Sequence, residues 1–147
     1  MGAQQNRKTL GRVFNAVSEQ RSVVREKLAV SDNVSWSIHA SVLEGRLDDA
    51  RDLMTAMVES TRGEEGTLGY EWFLNEGGTM CHMKDRYADS DAAMIHLGNF
   101  GPKFAERFVE CFEVTGFFVY GEPNDAVRAA IEGFGPVYLG TFGGFNR

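Results

Sequence analysis

Positive charge is scarce over most of this chain, and cysteine and long apolar runs are scarcer still. Residues 31–147 carry nine Lys and Arg against nineteen Asp and Glu, a balance of −10. So acidic a body repels a phosphate backbone, which excludes nucleic acid as a partner. No stretch approaches the ~20 apolar residues of a membrane span, and no apolar segment of signal-peptide type follows the N-terminus. The expectation is a soluble, cytoplasmic protein with no membrane partner. Met1-Gly2 opens a myristoylation signal that Asn6 leaves incomplete, since that position wants Ser or Thr. The two cysteines, Cys81 and Cys111, sit among apolar residues with no CxxC or other metal spacing, so they read as small buried hydrophobes kept reduced. Three signatures are missing: the GxGxxG dinucleotide turn, the GxxxxGK phosphate loop and the GxSxG nucleophile elbow. No cofactor and no bound metal are therefore expected.

What is present fits one domain with an appended arm. At 147 residues, 43% hydrophobic and 24% charged, the chain can bury an ordinary core. Residues 1–33 form the arm. Its first thirty residues hold six Lys and Arg against two Glu. Leu10, Phe14, Val17, Arg21, Val24 and Leu28 recur every three or four positions, an amphipathic helical stripe interrupted once by Arg21. Two readings stay open: a helix that packs on its own domain or a dimer partner, and a targeting peptide. Ser31-Asp32-Asn33 ends the arm, and residues 34–147 are the folded domain.

Along that domain, residues 35–43 alternate as a strand, with Trp36, Ile38, Ala40 and Val42 on one face and Ser37, His39 and Ser41 on the other. Leu47, Ala50, Leu53, Met54, Met57 and Val58 mark one face of a helix. The run Gly66-Thr67-Leu68-Gly69-Tyr70-Glu71-Trp72-Phe73-Leu74-Asn75, the turn Glu76-Gly77-Gly78 and residues 79–87 make a hairpin. A second helix starts with Ser90 as N-cap, falters at Gly101-Pro102 and restarts there. Residues 114–120 form a fourth strand, Asn124 caps a short helix, and residues 136–142 are a last strand or extended tail. The order is βαββαβ with a C-terminal extension, an α+β ferredoxin-like sheet with two helices on one face. Apolar residues on the other face call for a cover. A second copy of the chain is the simplest one, giving a homodimeric barrel.

The runs Gly-Thr-Leu-Gly-Tyr-Glu-Trp (66–72) and Asp-Arg-Tyr-Ala-Asp-Ser-Asp-Ala-Ala (85–93) are similar to those of the antibiotic biosynthesis monooxygenase family, and the resemblance extends over most of residues 35–120. It implies a dimeric α+β barrel with a mainly apolar pocket in each protomer. It also implies activities that include cofactor-independent oxidation of polycyclic phenols and quinols by dioxygen. A haem-degrading branch of the family uses an Asn, a Trp and a His, the last two on the second helix. Here both Trp residues, 36 and 72, fall in strands, so that branch resembles the chain less.

Oxidation without a cofactor needs a base that makes the substrate electron-rich, in an apolar pocket with a few hydrogen-bond donors. Histidine suits that role, which makes His39, His82 and His96 the catalytic candidates. His39 and His82 lie on strands that are neighbours in this fold, with Glu71 near. The trio reads as a polar layer inside the dimer barrel, as a substrate-facing base with its partner, or as a site of two His and one carboxylate for a metal. His96, on the second helix, is either a satisfied core residue or a base reaching a pocket between sheet and helices. Trp36, Tyr70, Trp72, Tyr87 and Phe100 are the candidate lining of a pocket for a small aromatic or apolar ligand. Asp85 and Arg86 read as a structural ion pair, and Phe142-Gly143-Gly144-Phe145 as a lid or dimer contact. The functional expectation is a cofactor-independent monooxygenase of a quinol or polycyclic phenol. The alternatives are a non-catalytic dimer that binds a small apolar metabolite, and an interaction module whose arm docks on a partner.

Overall fold

The computed structural model describes residues 2–27 and 31–147, and the chain divides into two units. One unit contains helix α1 (Gly2–Lys27) and the tail Thr141–Arg147. On α1 the stripe residues Leu10, Phe14 and Val17 are exposed, while the side chains of Arg21, Val24 and Leu28 lie outside those described. In the tail Phe142 and Phe145 are exposed too, and the Arg147 guanidinium stacks over the Phe145 ring.

The other unit, Asp32–Gly140, holds the sheet. Its elements are β1 (Val34–Val42), α2 (Leu47–Arg62), β2 (Thr67–Leu74), β3 (Met80–Tyr87), α3 (Ser90–Cys111), β4 (Phe112–Tyr120), α4 (Asp125–Ile131), a 3₁₀ turn (Glu132–Phe134) and β5 (Val137–Leu139). The strands run in the order β2-β3-β1-β4-β5, antiparallel except for β5 along β4. This is the ferredoxin-like α+β arrangement, with one parallel strand added at its edge.

Local chemistry sets these elements. In the β2–β3 hairpin the Asn75 Oδ1 accepts from the amides of Thr79 and Met80, both at 2.9 Å, and Gly78 takes the positive φ of 67° that the turn requires. The α3 N-cap is Asp89, not Ser90: its carboxylate accepts from the Ala92 amide at 2.8 Å. Ser90 Oγ instead accepts from the Asn124 amide, and Asn124 caps α4 by accepting from Val127. Helix α3 also runs unbroken through Gly101-Pro102. Proline removes one N–H from the helix, but Gly98 and Pro102 are both exposed, so solvent can meet the carbonyl left without its partner.

The core lies wholly on the helix side of the sheet. Trp36, Tyr87, Phe117 and Val119 pack with Val127 and Ile131 of α4, and Ala40, Cys81 and Met83 pack with Leu53 and Met57 of α2 and Phe108 of α3. Each fully buried side chain such as Leu53 contributes roughly 1.5–3 kcal/mol. The opposite face carries Ser37, His39, His82, Lys84, Phe73, Phe118, Val137 and Leu139, and neither α2, α3 nor α4 packs on it. No helix among the described residues is long and apolar enough to cross a membrane.

Candidate functional site

A cavity of about 280 Å³ opens between the covered face of the sheet and helix α3. Ligand pockets are usually roughly 300–1,000 Å³, so this one suits a single small ring system. Its floor is Trp36 and Ile38 of β1, Tyr70 of β2, Met83 and Asp85 of β3 and Phe117 of β4. Helix α3 contributes His96, Leu97, Phe100 and Phe108. The exposed lining residues Val109, Val114 and Phe134 mark the rim. The wall is apolar and aromatic apart from one end.

That end holds a buried polar group which alternation places on the apolar face of β3, between Met83 and Tyr87. Asp85 is 4% exposed. Its Oδ2 accepts from Trp36 Nε1 at 2.6 Å and from Tyr87 Oη at 3.0 Å. Its Oδ1 is buried and has no partner among the described residues. Burial pushes the carboxyl up to about 6, with the charge of His96 and the two hydrogen bonds pulling the other way. The expected Asp85–Arg86 ion pair does not exist. Successive strand residues point to opposite faces, so Arg86 is exposed on the far side.

His96 is buried beside it. Its Nδ1 lies 2.8 Å from Glu64 Oε1, and Asn99 Nδ2 donates to Glu64 Oε2 at 3.2 Å. A carboxylate at that distance fixes one end of the ring: Nδ1–H donates to Glu64, which leaves Nε2 as the nitrogen free to exchange a proton with an occupant of the cavity. The His96 ring sits 5.4 Å from the Tyr70 ring and 5.3 Å from that of Tyr87. Burial, then the charge of Asp85, raises both tyrosine phenols well above their usual 10, so each stays a hydrogen-bond donor.

The sequence candidates divide accordingly. His96, Trp36, Tyr70 and Phe100 line the cavity. Trp72 and Tyr87 do not: Trp72 stacks edge-on against Tyr70, and Tyr87 lies in the core, where its hydroxyl holds Asp85. His39 and His82 are indeed register partners, their rings stacked 3.7 Å apart and 2° from parallel, but on the open face of the sheet. They are therefore separated from the cavity by the sheet itself. His39 Nε2 is 3.0 Å from Ser37 Oγ, and burial followed by the charge of His82 lowers the His39 pKa. Glu71 does not join them; it is exposed and pairs in register with Lys84. Among the described residues no three His, Cys, Asp or Glu side chains are grouped to hold a metal ion. Asp85 and Glu64 were missed from sequence. Alternation along β3 was enough to find the first. The second meets His96 across 32 residues, and no local pattern announces that.

Residues 36–111, just over half of the chain, match the model of the antibiotic biosynthesis monooxygenase family. The chain belongs to that family. Every sheet and α3 residue named at the polar end of the cavity falls inside the matched segment of this monooxygenase-family domain. Among solved structures, MupZ from Pseudomonas fluorescens superposes with a TM-score of 0.71 at 22% identity, over 80% of this chain and 96% of MupZ. SnoaB, a cofactor-independent oxygenase from Streptomyces nogalater, gives 0.55 at 12% identity, over 64% of this chain and 96% of its own. A conserved protein from Methanosarcina mazei Go1 gives 0.55 at 16%, over 60% and 90%. These likenesses establish the shared family fold. No curated protein matches the chain.

Proposed function

We propose that this family member is a cofactor-independent monooxygenase that oxidises a quinol or polycyclic phenol inside the α3 cavity. The observation that carries the reading is a histidine, His96, fixed by a buried carboxylate at the end of an otherwise apolar aromatic cavity. His96 Nε2 takes the proton of the bound hydroxyl, and the phenolate transfers one electron to dioxygen. The resulting radical pair combines at a ring carbon that bears hydrogen, para to the oxygen in a phenol and ortho to it in a quinol, forming a C–O bond. Cleavage of the O–O bond, with loss of the hydrogen from that carbon, gives a quinone and one water. One oxygen atom enters the product, the other leaves as water, and the substrate supplies both electrons and both hydrogens, so no outside reductant is required. Apolar walls favour this by excluding water from the radical stage.

SnoaB's description as a cofactor-independent oxygenase of the same fold supports the reading. The test is oxygen uptake by metal-stripped protein with a panel of hydroquinones and anthrone-like phenols, with autoxidation subtracted. The expected result is uptake in which each dioxygen yields one quinone that carries one oxygen atom more than the substrate, with no peroxide released. Binding without uptake would make the protein a carrier of such molecules instead.

The same reading has two copies meeting across the open sheet face. Phe73, Met80, Tyr120, Val137 and Leu139 are all exposed there around the polar His39–His82 centre, an apolar area suited to a partner. A dimeric mass by light scattering that becomes monomeric in Phe73→Lys is the expected outcome. Two free buried cysteines, Cys81 and Cys111, suit a cytoplasmic setting.

A further inference from the structure

The acid–base reading of the cavity uses His96 and leaves the neighbouring carboxylate without a role. Asp85 is held from one side only. Trp36 and Tyr87 both donate to Oδ2, which fixes the plane of the carboxylate and leaves Oδ1 buried with no partner among the described residues. Asp85 lines the cavity with Trp36, Phe117, Met83 and Phe100, and with Tyr70 and His96, the two other polar side chains of the lining, neither of which hydrogen-bonds to Oδ1. A carboxylate oxygen buried without a donor is costly, so an arrangement that orients it this firmly calls for a donor from the occupant.

We propose that Asp85 Oδ1 is the specificity determinant of the cavity: it receives a hydroxyl hydrogen from the ligand, so the site selects hydroxyarenes over their ethers and over the bare hydrocarbon. The flat aromatic walls favour an aryl group over an alkyl chain, and a neutral hydroxyl enters an apolar cavity at less desolvation cost than an ammonium. The inference rests on the cavity being the substrate site but not on the oxidation itself. Asp85 acts here as a recognition group. The proton acceptor of the reaction remains His96.

The discriminating property is the direction of one hydrogen bond. In Asp85→Asn the amide oxygen still accepts from Trp36 and Tyr87, and its NH2 then points where Oδ1 was. The site becomes a donor where it had been an acceptor. Equilibrium binding of 1-naphthol, 1-methoxynaphthalene and naphthalene is measured by calorimetry under nitrogen, which removes turnover. The wild-type protein is expected to bind naphthol roughly tenfold or more tighter than its methyl ether. In Asp85→Asn that preference is expected to vanish or reverse, while naphthalene binds within about twofold of wild type, showing the cavity intact. Equal wild-type affinity for naphthol and its ether overturns the proposal whatever the variant does. So does a naphthol preference that survives in a variant still binding naphthalene, or a wild-type protein that binds no naphthol. A tenfold preference with no oxygen uptake would retain this assignment and sink only the oxidation.

Discussion

Replacing Asp85 by Asn is expected to stabilise the protein above pH 7 and not below pH 5. In the fold the carboxyl titrates at about 6, against 3.8 for a solvated aspartate, because it is 4% exposed. A raised carboxyl pKa means that the folded chain holds its proton longer than the unfolded one. Stability from this group is therefore fully present below pH 3.8 and is lost as pH rises through about 6. The gap between the two values corresponds to about 3 kcal/mol of strain once Asp85 is ionised. Facing it are the Trp36 and Tyr87 donors, His96 with Glu64 behind it, and the Tyr70 ring. Asn keeps the two donors satisfied and removes the charge, but its NH2 then gains no acceptor among the described residues at the Oδ1 position, which costs about 1 kcal/mol. The net gain at pH 8 is thus about 2 kcal/mol, or about 8 °C in melting temperature for a domain of this size. At pH 4.5 both forms are neutral, and the variant should melt at or slightly below wild type. The assay is thermal unfolding of both proteins from pH 4.5 to 8. A variant destabilised equally at every pH would refute the reasoning, because it would mean that Asp85 is not a buried titrating group.

Three further perturbations probe other parts of the account. Glu64→Ala leaves His96 Nδ1 and Asn99 Nδ2 without their acceptor and should cost about 2–3 kcal/mol, or about 8–12 °C in melting temperature; a loss under 2 °C would show that the contact is not held in solution. Gly121→Ala should destabilise by about 2–3 kcal/mol by denaturant titration, because φ is +96° there and a Cβ would sit 2.8 Å from the Asn33 carbonyl oxygen. NMR titration should find the His39 ring protonating below pH 6.5, and His82→Ala should move the midpoint upward by removing one of the two causes of the depression. An unchanged midpoint in that variant would mean that the rings are not stacked.

The period-2 alternation in β1 and β3 and the Asn75 turn made the sheet legible, because strand faces and tight turns are written in neighbouring residues. That pattern also brought His39 beside His82, as found. Which face bears the cavity was not legible, since Trp36 on one side and Phe73 and Phe118 on the other are equally apolar in sequence. The helices decide it: α2 and α3 cover the Trp36 face, so the two stacked histidines fall outside the site and His96 falls inside. The local sequence also misled at Asp85-Arg86, where adjacent opposite charges suggested a pair that strand geometry forbids. It misled again at Gly101-Pro102, where two poor helix formers are tolerated on an exposed turn of α3. Glu64 was illegible for another reason. It lies in the connection after α2, and only tertiary packing brings it to His96.

The most direct test of the central claim compares oxygen uptake in three single variants, His96→Gln, His39→Gln and His82→Gln, with a hydroxyarene that the wild-type protein consumes. Uptake lost in His96→Gln and retained in the other two, with all three proteins folded, is the predicted result. Uptake that survives in His96→Gln and disappears with His39 or His82 would contradict it and place the chemistry on the open face of the sheet.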